Sequence, residues 1–322
     1  MHLTFALLAM CFVDGVVHAA TSRDEAGASA AAVPSEPPNG PQREGDPVAA
    51  TPAARDGLTD DAHAVEAVDT DAHTAREPLV SDRPDFTEST SVVSPGRYQW
   101  EGGYTFTRDS ENGRRSRDHT LAELLLRTGV TPGVELRFGW AGASFTTLSY
   151  PDRSDAGRRV HQRDHEDGWT DMTIGFKAHL AEQRGWRPEL AVIGALALPT
   201  GSISKSSGDV DPEVKWLWSY AIDDRLSIGG NLNIAVPTGA RGRFAQASAS
   251  LAIGYSVCEH LGVYAEYFGF YPGERGEDCA HTVNGGFAVP VTDDLQLDLR
   301  IGVGLNEQAD DFFAGVGFAV RF

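Results

Sequence analysis

From Leu295 to Asn306 the chain alternates without a break. Leu295, Leu297, Leu299, Ile301, Val303 and Leu305 fall on one face, and Gln296, Asp298, Arg300, Gly302, Gly304 and Asn306 on the other. A period of two is that of a β-strand whose faces meet different surroundings. The pattern returns in Val134 to Trp140, with Glu135, Arg137 and Gly139 interleaved, in Met172 to Leu180 and in Leu226 to Val236. Twelve such segments follow one another, at about 97–108, 118–130, 133–146, 169–180, 189–199, 213–222, 225–237, 244–256, 261–271, 281–291, 295–305 and 312–322. A length of about ten residues is what a tilted strand needs to cross a bilayer. The fold class this predicts is all-β: a transmembrane, antiparallel, up-and-down β-barrel of about 12 strands.

The connectors agree with that reading. Thr131-Pro132, Asp223-Asp224, Cys258-Glu259-His260 and Thr292-Asp293-Asp294 are short, and they alternate with longer polar stretches such as Ser149 to Gly168, Gly201 to Pro212 and Pro272 to Ala280. Short turns on one side and long loops on the other describe an outer-membrane barrel with the short side periplasmic; Ala181 to Pro188 is long for its side. A soluble sandwich or lipocalin-like barrel would turn its apolar face inward. Here that face carries Tyr98, Trp100, Tyr104, Trp140, Trp216, Trp218 and Tyr220, several near strand ends, as aromatic girdles at a lipid boundary do. The last segment places Phe312, Ala314, Val316, Phe318, Val320 and the terminal Phe322 on one face. Phe318 and Phe322 are the expected assembly signal, read by the outer-membrane assembly machinery.

The N-terminal part is different. Leu3 to Val13 is a short apolar run followed by Val17-His18-Ala19, the pattern of a signal peptide over residues 1–19 and of an exported chain. A lipobox reading around Cys11 is the lesser alternative. Residues 20–80 form an acidic, Ala/Pro-rich extension with no hydrophobic period, which predicts disorder. Between Ala20 and Pro95 there are 15 acidic side chains against 5 arginines, about half of the chain's net charge of −19, and Lys is nearly absent overall. That balance excludes nucleic acid as a partner. Asp61/His63 and Asp71/His73 recur in this extension, and chance accounts for them better than metal binding. Once the signal is removed Cys258 and Cys279 remain, a whole strand of roughly 30 Å apart, so no disulfide is expected.

Residues 81–96 are a leader between extension and barrel. The run Ser81-Asp82-Arg83-Pro84-Asp85-Phe86-Thr87-Glu88-Ser89, with Val92-Val93-Ser94-Pro95-Gly96 and Tyr98-Gln99-Trp100-Glu101, resembles the opening of the bacterial outer-membrane family labelled as MetA-pathway phenol degradation transporters. The resemblance covers about residues 81–322, and the acidic extension is no part of it. It implies an outer-membrane barrel that admits small aromatic or hydrophobic compounds.

On the polar face the expected lumen and constriction residues are Glu123, Arg127, Glu135, Arg137, Lys177, Asp298 and Arg300, joined by Gln99, Glu101, Asp171, Glu213, Lys215, Asn231, Asn233 and Glu266. Glu123 and Arg127 facing Glu135 and Arg137 predict a cross-strand ladder, either stabilising the wall or filtering solutes. Arg83, Asp85 and Glu88 are plug candidates, expected to bind lumen charges if the leader folds back into the pore. His161-Gln162-Arg163-Asp164-His165-Glu166-Asp167 is read as a solvated loop, with a divalent-cation site as the alternative. Gly302-Val303-Gly304 and Gly315-Val316-Gly317 read as close packing in the wall, not as a dinucleotide site. No catalytic residue, metal or cofactor is expected. The function these features predict is a channel or facilitator for small solutes in the bacterial outer membrane, with lipid around it and the solute unidentified. The alternatives are a structural or envelope-interaction barrel and an outer-membrane hydrolase using His119, His179 or His281.

Overall fold

The computed structural model describes residues 78–322 except 112, 154–158, 240 and 275, with backbone alone at 152, 153 and 159–161. The expected signal peptide, nearly all of the acidic extension and both Asp/His pairs lie outside the described residues. Twelve wall strands are formed. They are β1 (Tyr98–Glu111), β2 (Arg114–Thr131), β3 (Val134–Trp140 and, after two residues, Ala143–Arg153) and β4 (Arg159–Trp169 and Met172–Ala181). Then follow β5 (Glu189–Leu198), β6 (Asp211–Ala221), β7 (Leu226–Ala235) and β8 (Gln246–Cys258). The last four are β9 (Leu261–Pro272), β10 (Ala280–Thr292), β11 (Leu295–Gly304) and β12 (Phe312–Arg321).

Each strand pairs antiparallel with the next, and β1 pairs with both β2 and β12, so the sheet closes and leaves no edge. Tyr98 and Phe322 complete the seam, with the Phe322 amide donating to the Tyr98 carbonyl at 2.8 Å. Phe322 is exposed, and Phe318 lies over Gly102 of β1.

Burial is inverted relative to a water-soluble protein. Ile301 is 53% exposed on β11, whereas Asp298, on the opposite face of the same strand, is 5% exposed. Leu297, Val303, Val316, Phe138 and Phe176 stand outward in the same way, while Gln99, Glu101, Arg127, Glu135, Lys177 and Asn231 are buried inside. Such a surface is stable only where hydrocarbon surrounds it and every backbone group is bonded within the wall. Tyr98, Trp100 and Trp216 expose their rings outward as expected.

Two expected loops are strand. β1 and β2 continue to Glu111↔Arg114, and β3 and β4 to Arg153↔Arg159, so Ser149 to Gly168 is largely a β-ribbon. Beyond the bilayer both faces of a ribbon meet water, and hydrophobic alternation no longer marks the strand. β3 breaks at Ala141-Gly142, β4 at Thr170-Asp171, and β2 carries Ala122 at φ 59, a bulge opposite Gly103/Tyr104. All three irregularities sit at one level of the wall, next to Leu121↔Ala143 and Trp140↔Met172. Cys258 and Cys279 are both unpaired.

Candidate functional site

The leader runs along the inside of the barrel. A bent segment without a sheet partner must find acceptors for its amides elsewhere, and the wall supplies carboxylates. The Asp82 amide donates to Glu101 Oε2 at 3.1 Å, the Phe86 and Thr87 amides to the two oxygens of Glu266 at 2.8 and 2.6 Å, and the Val93 amide to Glu135 Oε2 at 2.8 Å. The Val80 carbonyl accepts from Gln99 Nε2 at 2.9 Å and Arg127 Nη1 at 3.1 Å, so contact with the wall begins before Ser81, within the stretch expected to be disordered. Where the leader leaves the lumen, a Cβ on Gly129 would overlap the Val93 and Ser94 carbonyls, so only glycine permits this approach.

The wall charges meet the leader in two groups. On β2 to β4 the register sets Arg127 opposite Arg137 and Glu135 opposite Lys177. Glu135 bonds Arg127 Nε at 2.8 Å and Arg137 Nη1 at 2.9 Å, and Glu101 bonds Arg127 Nη1 at 2.9 Å. Into this cation-rich ground the leader places Asp82, 2.5 Å from Arg137 Nη1 and 2.8 Å from Lys177 Nζ, and Glu88, 2.6 Å from Arg137 Nη2 and 2.7 Å from Lys215 Nζ. Burial pushes the Asp82 carboxyl up, and Arg127, Lys177 and Arg137 outweigh it, holding the group well below the usual carboxylate range. Burial likewise opposes ionisation of Glu88, and Arg137 and Lys215 overcome it. On the adjoining arc from β11 through β12 and β1 to β2 the leader's charge is of the other sign: Arg83 meets Glu123, on β2 four residues before Arg127, at 3.0 Å and Asp298 at 3.4 Å. Side chains at Gly103 and Gly317 would fill the space its guanidinium occupies.

Asp85 departs from the expectation that it binds a lumen cation. It forms no ion pair among the described residues, and burial together with the nearby Glu266 carboxylate pushes it well above the usual range. Arg300 donates to the Pro84 carbonyl at 3.1 Å and to Thr105 Oγ1 at 3.0 Å, with its guanidinium 5.5 Å from the Phe313 ring centre. Phe86 stacks on Phe268 at 4.7 Å and meets Phe270 edge-on at 5.5 Å.

A second insert comes from the long-loop end. Between β5 and β6, residues 199–210 are held by Asp171, which accepts from the Gly201 amide at 2.8 Å and Ser206 Oγ at 3.1 Å. Lys205 thereby reaches Thr146 Oγ1 at 2.7 Å, beside Asp118, which accepts from Ser144, Thr146 and Thr120. In the loop between β11 and β12, Asp310 is pushed up to about 6 by burial and by Asp109, Asp118 and Asp311.

The structure thus gathers Arg127, Glu135, Arg137 and Lys177 into one cluster and Asp298 and Arg300 into another, with Glu123 bonded to Arg83 and not to the wall ladder. Sequence reasoning missed Asp82, the leader residue with most charged partners; it lay in the leader motif, but only the fold shows that three wall cations converge on it. Asp164, His165, Glu166 and Asp167 lie on strand, where successive side chains point to opposite faces, and no group of three metal-ligating side chains forms among the described residues. His119, His281 and His179 bond Tyr104, Tyr267 and Glu189, not a serine.

The model of the family described as "Putative MetA-pathway of phenol degradation" matches residues 81–322. Among solved structures, an outer-membrane channel from Pseudomonas putida F1 is 16% identical with a TM-score of 0.52, over 72% of this chain and 98% of that one. At that identity the likeness shows the fold. The translocator domain of the autotransporter NalP from Neisseria meningitidis (14% identity, TM-score 0.45, 70% and 88% covered) and the NanC porin (10%, 0.41, 69% and 98%) are more distant and carry no argument. No curated protein matches.

Proposed function

The chain belongs to the family described as "Putative MetA-pathway of phenol degradation", and from that premise we propose that it is an outer-membrane channel for small solutes whose lumen is closed by its own leader. One observation carries the reading: the leader's Asp82 and Glu88 pair with cations of the lumen wall while its Arg83 pairs with wall carboxylates. A periplasmic tether with no role in the lumen needs no such complementarity. A 12-stranded wall stands between filled 8-stranded barrels and open 16-stranded porins, so one folded-in segment with the 199–210 insert suffices to obstruct it. The apolar outer face, the barrel fold and the likeness to an outer-membrane channel of Pseudomonas putida support placement in the bacterial outer membrane. The function is transport without catalysis; the tyrosine and glutamate partners of the three wall histidines favour this over hydrolysis.

The test is ion conductance in a planar bilayer, comparing the full chain with a variant lacking residues 81–90. Brief or small openings for the full chain and steady, larger steps for the deletion are expected. Equal conductance from the folded deletion variant refutes the plug. Silence from both inserted proteins refutes the channel.

A further inference from the structure

The chain has three lysines, Lys177, Lys205 and Lys215, and all three are buried within the barrel at 0, 2 and 8% exposure. Lysine is almost never fully buried unless paired, so the partner of each is informative. Lys177 donates to Asp82 Oδ1 and Oδ2, each at 2.8 Å, to the Ser89 carbonyl at 2.8 Å and to the Ser91 carbonyl at 3.3 Å; every one of these acceptors belongs to the leader. Arg137 Nη2 depends on Glu88 in the same way. Two residues before Glu88, Phe86 fills a slot whose floor is Phe268 and whose edge is Phe270. At about 3.6 Å of chain per residue, ring and carboxylate arise from backbone positions within about 7 Å of each other.

We propose that this part of the wall is a binding site for aromatic carboxylates and that the leader occupies it as a built-in mimic, its Phe86 ring and its Asp82 and Glu88 carboxylates standing where the solute's ring and carboxylate bind. When the leader withdraws, a buried ammonium and half of a guanidinium lose their acceptors, and an aromatic slot opens beside them. An unpaired buried cation is costly. A carboxylate restores charge-assisted bonds, and a ring restores offset stacking. A neutral aromatic compound leaves the cations unsatisfied, and an aliphatic acid leaves the slot empty. Solute therefore competes with the leader, and binding itself opens the pore. This names the solute class of the channel proposed above and rests on that reading.

The experiment reads leader exposure and requires no ion flow. In the full chain with Cys11, Cys258 and Cys279 replaced by serine, Ser89→Cys is labelled with a bulky, charged maleimide while 3-phenylpropanoate is titrated. Saturable acceleration of at least tenfold is expected, with no comparable effect from 3-phenylpropan-1-ol or propanoate, and Lys177→Gln is expected to abolish it. Equal acceleration by the alcohol, or by propanoate, overturns the proposal, as does no response to any of them. Ser91→Cys serves as the reporter where Ser89→Cys fails to fold. A leader-deleted protein that conducts while labelling stays indifferent to 3-phenylpropanoate rejects the solute class alone. A silent bilayer beside selective labelling rejects the channel alone.

Discussion

Asp82 is the residue through which the leader engages most of the wall's positive charge, so Asp82→Ala is the most informative single substitution. It removes two acceptor oxygens from Lys177, one from Arg137, an ion pair with Arg127 at 3.4 Å, and the acceptor of the Ser89 amide at 2.9 Å. Removing one partner of a buried ion pair costs about 3–5 kcal/mol, because the remaining charge stays buried. In this lumen the cations also bond Glu101, Glu135 and leader carbonyls, and water enters as the leader lifts, so the lower end applies. At about 1.4 kcal/mol per tenfold, about 3 kcal/mol lowers the ratio of docked to released leader roughly a hundredfold. The assay is the open fraction of single channels at fixed voltage and salt, with heat-modifiable migration on gels showing that the barrel is folded. Wall pairing does not involve the Asp82 side chain, so the barrel itself stays intact. A folded Asp82→Ala protein whose open fraction changes by less than tenfold refutes the claim that these contacts hold the leader in place.

Gly129→Ala places a methyl group against the Ser94 and Val93 carbonyls and displaces the leader where it leaves the lumen; open fraction and protease cleavage near residue 90 both rise, whereas unchanged cleavage argues against close approach there. The docked leader also raises the Asp85 carboxyl well above its ordinary value, through burial first and Glu266 second, so docking takes up a proton. Its contribution is full below the ordinary carboxylate range near pH 4 and is lost as pH rises through the raised value; one proton permits up to about a tenfold change in open fraction per pH unit. The depressed Asp82 and Glu88 contribute in the opposite sense, their stabilisation being lost only as pH falls through their lowered values. From about pH 4 upward the open fraction therefore rises with pH, and Asp85→Asn flattens the profile; a flat wild-type profile, or an unaltered slope in the variant, contradicts this.

The strands were legible because lipid and lumen impose opposite demands on alternate residues. Twelve segments read from alternation correspond to the twelve wall strands, and the inward set from Gln99 to Asp298 is buried as the polar phase requires. Where lipid is absent the signal fails: the ribbons beyond Arg108 and Ser149 carry polar residues on both faces and read as loops. The ladder was half legible. Arg127 and Glu135 do bond across β2 and β3, but Glu123 is drawn away by Arg83, a partner 40 residues earlier in the chain whose position no strand period encodes. Asp82 and Lys205 were missed for the same reason, since each acquires its role from a segment folded into the lumen and not from the strand pattern.

How the leader is held bears on how it is released. Had it been an apolar segment on an apolar wall, withdrawal would expose hydrocarbon to water at roughly 25 cal/mol per Å2 with nothing to offset the loss. The contacts here are mostly ionic and buried, with Phe86 as the apolar exception. Coulombic attraction in such pairs is offset in large part by the desolvation needed to bring them together, and some of that desolvation is recovered when water refills the lumen. Geometry is specified strongly, because two carboxylates and one guanidinium must each reach an opposite charge, while net affinity stays modest. A segment held in this way fits one position and still leaves it, which a gate requires and a permanent structural strut does not.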